Sequence, residues 1–158
     1  MADLRELLEE AGFQNVETYV QSGNIALDST AKPAALESRL AELIEERFGF
    51  EVPVVVRSGK QLAAIVEHDP FQGVADNPKR YQVSFLSEKL SAQTVTRLHE
   101  LAHESERVAV HGREVYAWHP DGVARSKLWN ALAGTGLGVT ATARNWTTVN
   151  RLLEMAAA

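Results

Sequence analysis

Cysteine is missing altogether from the 158 residues of this chain. Its absence excludes disulfides, thiolate zinc sites and cysteine nucleophiles. Long apolar runs are missing too, and no stretch approaches the roughly 20 residues a membrane helix needs. A basic surplus is also lacking. Lys and Arg number 16 against 21 Asp and Glu, for a formal charge of −5. The chain as a whole therefore has no positive field to neutralise phosphates, and neither nucleic acid nor a membrane is the expected partner. The opening Met1-Ala-Asp-Leu-Arg-Glu-Leu-Leu-Glu-Glu10 alternates charges where a signal peptide has its apolar core. These absences point to a cytoplasmic protein.

What is present is material for a packed core, with hydrophobic residues at 45%. Leu4, Leu7, Leu8 and Ala11 recur at helical spacing, with Asp3 and Glu6 as a capping box and Gly12 as the stop. Val16–Gln21 and Asn24–Leu27 read as strands joined at Ser22-Gly23. Pro33 opens a second helix, whose expected buried stripe is Leu36, Leu40, Leu43, Ile44 and Phe48. Val52–Arg57 reads as a strand, and Ser58 with Gln61 as the cap of a short helix. Turn formers crowd Asp69 to Pro78, which sets an expected boundary between residues 1–70 and 71–158. Beyond it the alternation of Tyr81, Val83 and Phe85 predicts a strand, then a helix over Ser91–His103. A hairpin of Arg107–His111 and Glu114–Trp118 follows, then a helix over Ser126–Leu132. A short strand at Val139–Thr142 and a last helix over Asn145–Met155 complete the pattern.

The expected fold is therefore α+β. It comprises two ferredoxin-like βαββαβ subdomains, the first without its opening strand, and a C-terminal helix. In such a unit the opening strand lies mid-sheet, so its loss would leave neighbouring backbone groups unpaired. The sequence thus carries the expectation of an apolar strand encoded upstream of Met1. Without that strand the open sheet edge is expected to favour an edge-mediated dimer.

Four pieces carry a family resemblance: Met1-Ala-Asp-Leu-Arg5, Thr18-Tyr19 with Gln21-Ser-Gly-Asn24, Asp69-Pro-Phe71, and Thr142 with Arg144-Asn-Trp146 and Thr148-Val149. In order and spacing they resemble the bacterial family known as domain of unknown function 1697. The resemblance implies a two-part α+β fold with no assigned activity. The family's pattern starts earlier, with a strand and an Arg-Gly-x-Asn-Val-Gly turn that this chain lacks.

Three readings of function compete. The first is a non-catalytic binding protein that needs no cofactor or metal. Arg144 and Asn145, beside the start of the last helix, would take a small anion or the acidic end of a peptide, because free N–H groups and a guanidinium attract anions. Gln21, Ser22 and Asn24 at the hairpin end are further candidate ligand contacts. The structural alternative makes Asn145 a helix cap and leaves Gln21 and Asn24 to satisfy local backbone groups. The second reading is a zinc hydrolase built on His99-Glu100-Leu-Ala-His103, which would need both imidazoles on one helix face. Charged Arg97 and Glu104 flank that motif, and the helix's apolar stripe is Val95, Leu98 and Ala102, which weighs against it. The third is an interaction module using an open sheet edge. His111 and His119 read as isolated surface turn residues.

Overall fold

The apolar spacing of Leu4, Leu7 and Leu8 becomes helix α1 (Ala2–Glu10), the first element of a computed structural model that describes residues 2–19, 23–134 and 137–157. α1 is already helical at Ala2, so Asp3 sits within the first turn and is no cap. Gly12 ends the helix at φ 97°, a left-handed angle that a side chain would strain. β1 (Gln14–Tyr19) and β2 (Asn24–Asp28) then form a two-stranded antiparallel sheet. α2 (Pro33–Phe48) starts on Pro33 and stops at Gly49, whose φ is 76°. Leu36, Leu40, Leu43 and Ile44 are buried as their spacing demands, but Phe48 is exposed. Phe48 lies at the helix's last position, beyond the packed stripe.

Residues 51–58 run on without regular structure. The strand expected at Val52–Arg57 belongs to neither sheet among the described residues. Val54 and Val56 nevertheless pack on the core of Leu7, Leu8, Val16, Leu36, Leu40 and Leu43. The run is therefore partly buried but not the strand its residue types suggested. A strand also needs a neighbour, and here β2 pairs only with β1 among the described residues.

α3 (Gly59–His68) opens on a reciprocal cap. Ser58 Oγ accepts from the Gln61 amide at 3.1 Å, and Gln61 Oε1 accepts from the Ser58 amide at 2.8 Å. The remaining elements are β3 (Tyr81–Leu86), α4 (Ala92–Leu101), β4 (Arg107–His111), β5 (Glu114–Trp118), α5 (Lys127–Ala133), β6 (Ala141–Asn145) and α6 (Trp146–Ala157). The chain divides into two compact units, one of residues 1–63 with 151–158, the other of residues 64–150.

In the second unit the sheet order is β4-β5-β3-β6, antiparallel throughout, with the opening strand β3 in the middle. That is the order a βαββαβ unit requires. One face meets α4 and α5 through Leu86, Val115, Ala117, Leu98, Leu128 and Leu132. The other face carries Tyr81, Val83, Phe85, Tyr116 and Trp118, all buried. β6 falls two to three residues later than the sequence suggested. Its register against β3 is fixed by pairs from Leu86↔Ala141 to Gln82↔Asn145.

Candidate functional site

Asn145 is the last residue of β6, and its Oδ1 accepts from the Thr148 amide at 2.9 Å. It caps α6, as its residue type suggested. The Trp146 amide donates to the Pro78 carbonyl at 3.1 Å. Two of the first three amides of α6 are thus occupied from within the chain. Arg144 pairs with Val83 in the ladder, so strand alternation sends it to the face opposite Asn145. The structure therefore does not bring these two side chains together. Arg144 is half-buried, and its Nη1 donates to Thr142 Oγ1 at 2.6 Å and to the Ala143 carbonyl at 2.8 Å. Burial pulls the guanidinium's pKa below its ordinary value.

Trp146 stacks on Tyr81 with ring centroids 4.7 Å apart, and Phe71 meets Tyr81 at 6.0 Å. The Tyr81 hydroxyl donates to Asp69 Oδ1 at 2.6 Å, and the same oxygen accepts from the Phe71 amide at 3.3 Å. Burial, then the Asp69 hydrogen bond and charge, push the Tyr81 phenol far above its ordinary pKa. Two motifs distant in sequence, Asp69-Pro-Phe71 and Arg144-Asn-Trp146, thus converge on one buried tyrosine. Such a phenol stays protonated near neutral pH and acts as a donor, not a base.

The hairpin candidates lie in the first unit. Asn24 is 4% exposed, and its Nδ2 donates to the Tyr19 carbonyl at 3.0 Å. Gly23 has φ 85°, the positive angle the turn requires. Gln21 and Ser22 lie outside the described residues.

α4 ends at Leu101, so His103 is off the helix that carries His99. The His103 ring Nδ1 instead bonds Ser105 Oγ at 2.8 Å. The two imidazoles of His99-Glu-Leu-Ala-His103 thus lack the shared helical face that zinc binding needs. Among the described residues no group of three or more His, Asp or Glu could hold a metal ion.

His119, expected at the surface, is fully buried. Its Nδ1 lies 2.5 Å from Glu106 Oε2, which also accepts from Ser126 Oγ at 2.7 Å. Ser126 Oγ in turn accepts the Trp129 amide at 2.9 Å and caps α5. Glu106 Oε1 accepts from the His103 amide at 2.9 Å. Here serine bonds the carboxylate and a backbone amide rather than the imidazole. The cluster therefore lacks the nucleophile–base contact of a hydrolytic triad. Burial acts to raise the Glu106 pKa, but hydrogen bonds from His119, His103 and Ser126 outweigh it and hold the carboxyl below its ordinary value. The hairpin register was the signal for this pair. It sets Arg107 opposite Trp118, which carries Glu106 to His119 one step further on.

A family model described as "Protein of unknown function (DUF1697)" matches residues 1–116. The chain belongs to this family. The DUF1697 match takes in the β1–β2 hairpin and Asp69-Pro-Phe71, and Arg144-Asn-Trp146 lies beyond the matched residues. A solved structure, that of the conserved bacterial protein SP0830 from Streptococcus pneumoniae, is similar with a TM-score of 0.72 and 23% identity. The alignment covers 99% of this chain and 88% of that one, and at this identity it speaks for the fold alone. A comparison with curated proteins gave no match. Membership in DUF1697 thus brings a fold and no assigned activity, so the function must be argued from the site.

Proposed function

We propose that this DUF1697 protein is a cytoplasmic, non-catalytic binding protein that holds a small anion or the acidic end of a peptide at Arg144. One observation carries the reading: a guanidinium half-buried on the aromatic face of the second unit's sheet. Burial strips water from a cation, so an anion brought to it gains more than it would at an exposed arginine. The planar fork of donors suits a carboxylate or phosphate better than a lysine would. Asn145 serves this reading only indirectly, by fixing the start of α6. The cytoplasmic assignment is supported by the cysteine-free composition. No described helix is long and apolar enough to cross a membrane.

The test is thermal unfolding with inorganic phosphate or sulfate. A ligand that binds only the native state raises stability by mass action, about 2.7 kcal/mol at a hundredfold excess over Kd. The wild type should show a graded rise in Tm. Arg144→Ala should lose it and Arg144→Lys should keep only part. An equal rise in Arg144→Ala removes the site from Arg144.

A further inference from the structure

The second unit's sheet has an edge that the Arg144 reading does not use. β4 is the outermost strand on the side away from β6, and it pairs with β5 alone. In an antiparallel ladder, alternate residues of an edge strand turn their N–H and C=O groups outward. Among the described residues, no main-chain group of Arg107–His111 bonds outside the ladder with β5. Natural edges are often blunted by a bulge, a proline or a charged side chain. β4 runs in unbroken register from Arg107↔Trp118 to His111↔Glu114 and holds no proline. Its one fixed charge, Arg107, stands at its first position. Such an edge is the geometry that strand addition uses. Main-chain bonds supply affinity there, and side chains at alternate positions supply specificity.

The side chains of β4 choose the occupant. Val108 and Val110 are half-buried against the core that holds Leu98 and Leu128. Alternation puts Arg107, Ala109 and His111 on the other face, with Arg107 and His111 exposed. Ala109 carries only a methyl, so the two larger side chains flank a notch at mid-strand. Arg107 Nη1 donates to the Glu104 and Glu106 carbonyls at 3.0 Å each, and its guanidinium meets no carboxylate among the described residues. The His111 ring stacks on His68 of α3 with centroids 3.9 Å apart. Glu114, cross-strand from His111, is buried on the inner side of β4, away from the open edge. On an added strand, a residue opposite Ala109 lies diagonal to both Arg107 and His111, within reach of long side chains. A carboxylate there meets a guanidinium on one side and an imidazole on the other. A second β4 does not fit, because it carries no acid and would set only Arg and His side chains against Arg107 and His111. We propose that β4 accepts an extended peptide as an antiparallel fifth strand, with an acidic residue opposite Ala109 and apolar residues opposite Val108 and Val110.

The experiment titrates the full chain against a fluorescein-labelled synthetic peptide alternating valine with glutamate, read by anisotropy. One control peptide carries lysine for glutamate, and another has every interior amide N-methylated. The glutamate peptide should bind at least about tenfold tighter than the lysine one and weaken with added salt. The N-methylated peptide should not bind, since strand addition needs its main-chain N–H groups. Arg107→Ala, at an exposed position, should lower the affinity by about tenfold. Ala109→Glu, which fills the notch with a like charge, should lower it as well. Residues 107–111 should gain amide protection on binding. Equal affinity for the glutamate and lysine peptides, undiminished binding of the N-methylated one, or no measurable binding of any peptide overturns the proposal. So does a glutamate peptide whose affinity neither variant lowers, or one that protects β6 in place of β4. A concentration-dependent dimer of the free protein that protects the same amides also overturns it, by assigning the edge to self-association. β4 and β6 are opposite edges of one sheet, so failure at β4 leaves the Arg144 reading to its own sulfate test.

Discussion

Glu106 accepts three hydrogen bonds on two oxygens while only 7% exposed. A glutamine there has one acceptor oxygen and one NH2 group. Its NH2 would meet either the His103 amide, a fixed donor, or the imidazole and the Ser126 hydroxyl, which would both have to turn from donor to acceptor. Glu106→Gln should cost about 1–3 kcal/mol, the usual penalty for a buried group left unmatched. The pH dependence follows from the same contacts. Glu106 has a depressed folded pKa, so its contribution is present above the unfolded value and is lost as pH falls through the folded one. Unfolding by urea should show stability level above about pH 5 and declining below it, with a shallower decline in Glu106→Gln. An unchanged midpoint and an unchanged acid limb in the variant would rule out the hub role. This residue also shows where reading the sequence stops. Ser126 as a cap was legible from its type and place, and so was Asn145. His119 was missed, because residue type alone says surface, and its partner Glu106, thirteen positions away, emerges only when the hairpin register is carried one step past both strand ends.

Elements with local signals were readable. The β4–β5 hairpin was predicted at its observed bounds, since two short runs rich in β-branched and aromatic residues flank the turn at Gly112. The Ser58–Gln61 cap needed only two residue types three apart. The elements misplaced were those set by distant partners. β6 carries polar Thr142, Arg144 and Asn145 and owes its position to a ladder with β3, which lies about sixty residues earlier in the chain. α4 ends two residues short of the predicted His103, because the Ala102 backbone turns extended at φ −65° and ψ 130°. That exit separates His99 from His103 and removes the geometric basis for zinc. The double change His99→Ala with His103→Ala should therefore move stability by no more than about 0.5 kcal/mol, as at ordinary surface positions. Elemental analysis of the wild type should find no stoichiometric zinc. One zinc per chain, lost in the double variant, would restore the hydrolase.

The two units differ in how their sheets are protected, and hydrogen exchange should report it. In the second unit β3 and β5 are flanked by strands on both edges, and every residue of β5 is buried. In the first, β1 and β2 form a two-stranded sheet, with a bulge near Asn15, whose φ is 53°. Two-stranded sheets are marginal by themselves and depend on what packs against them. Opening that exposes an amide costs up to the global unfolding free energy in a central strand and far less at an edge. Native-state exchange should thus place the slowest amides in β3 and β5. Those of β1 and β2 should exchange more than about tenfold faster. Uniform protection across both sheets in the free protein would mean that the first unit's core of Leu7, Leu8, Leu36 and Leu40 stabilises its strands as well as a full ladder does.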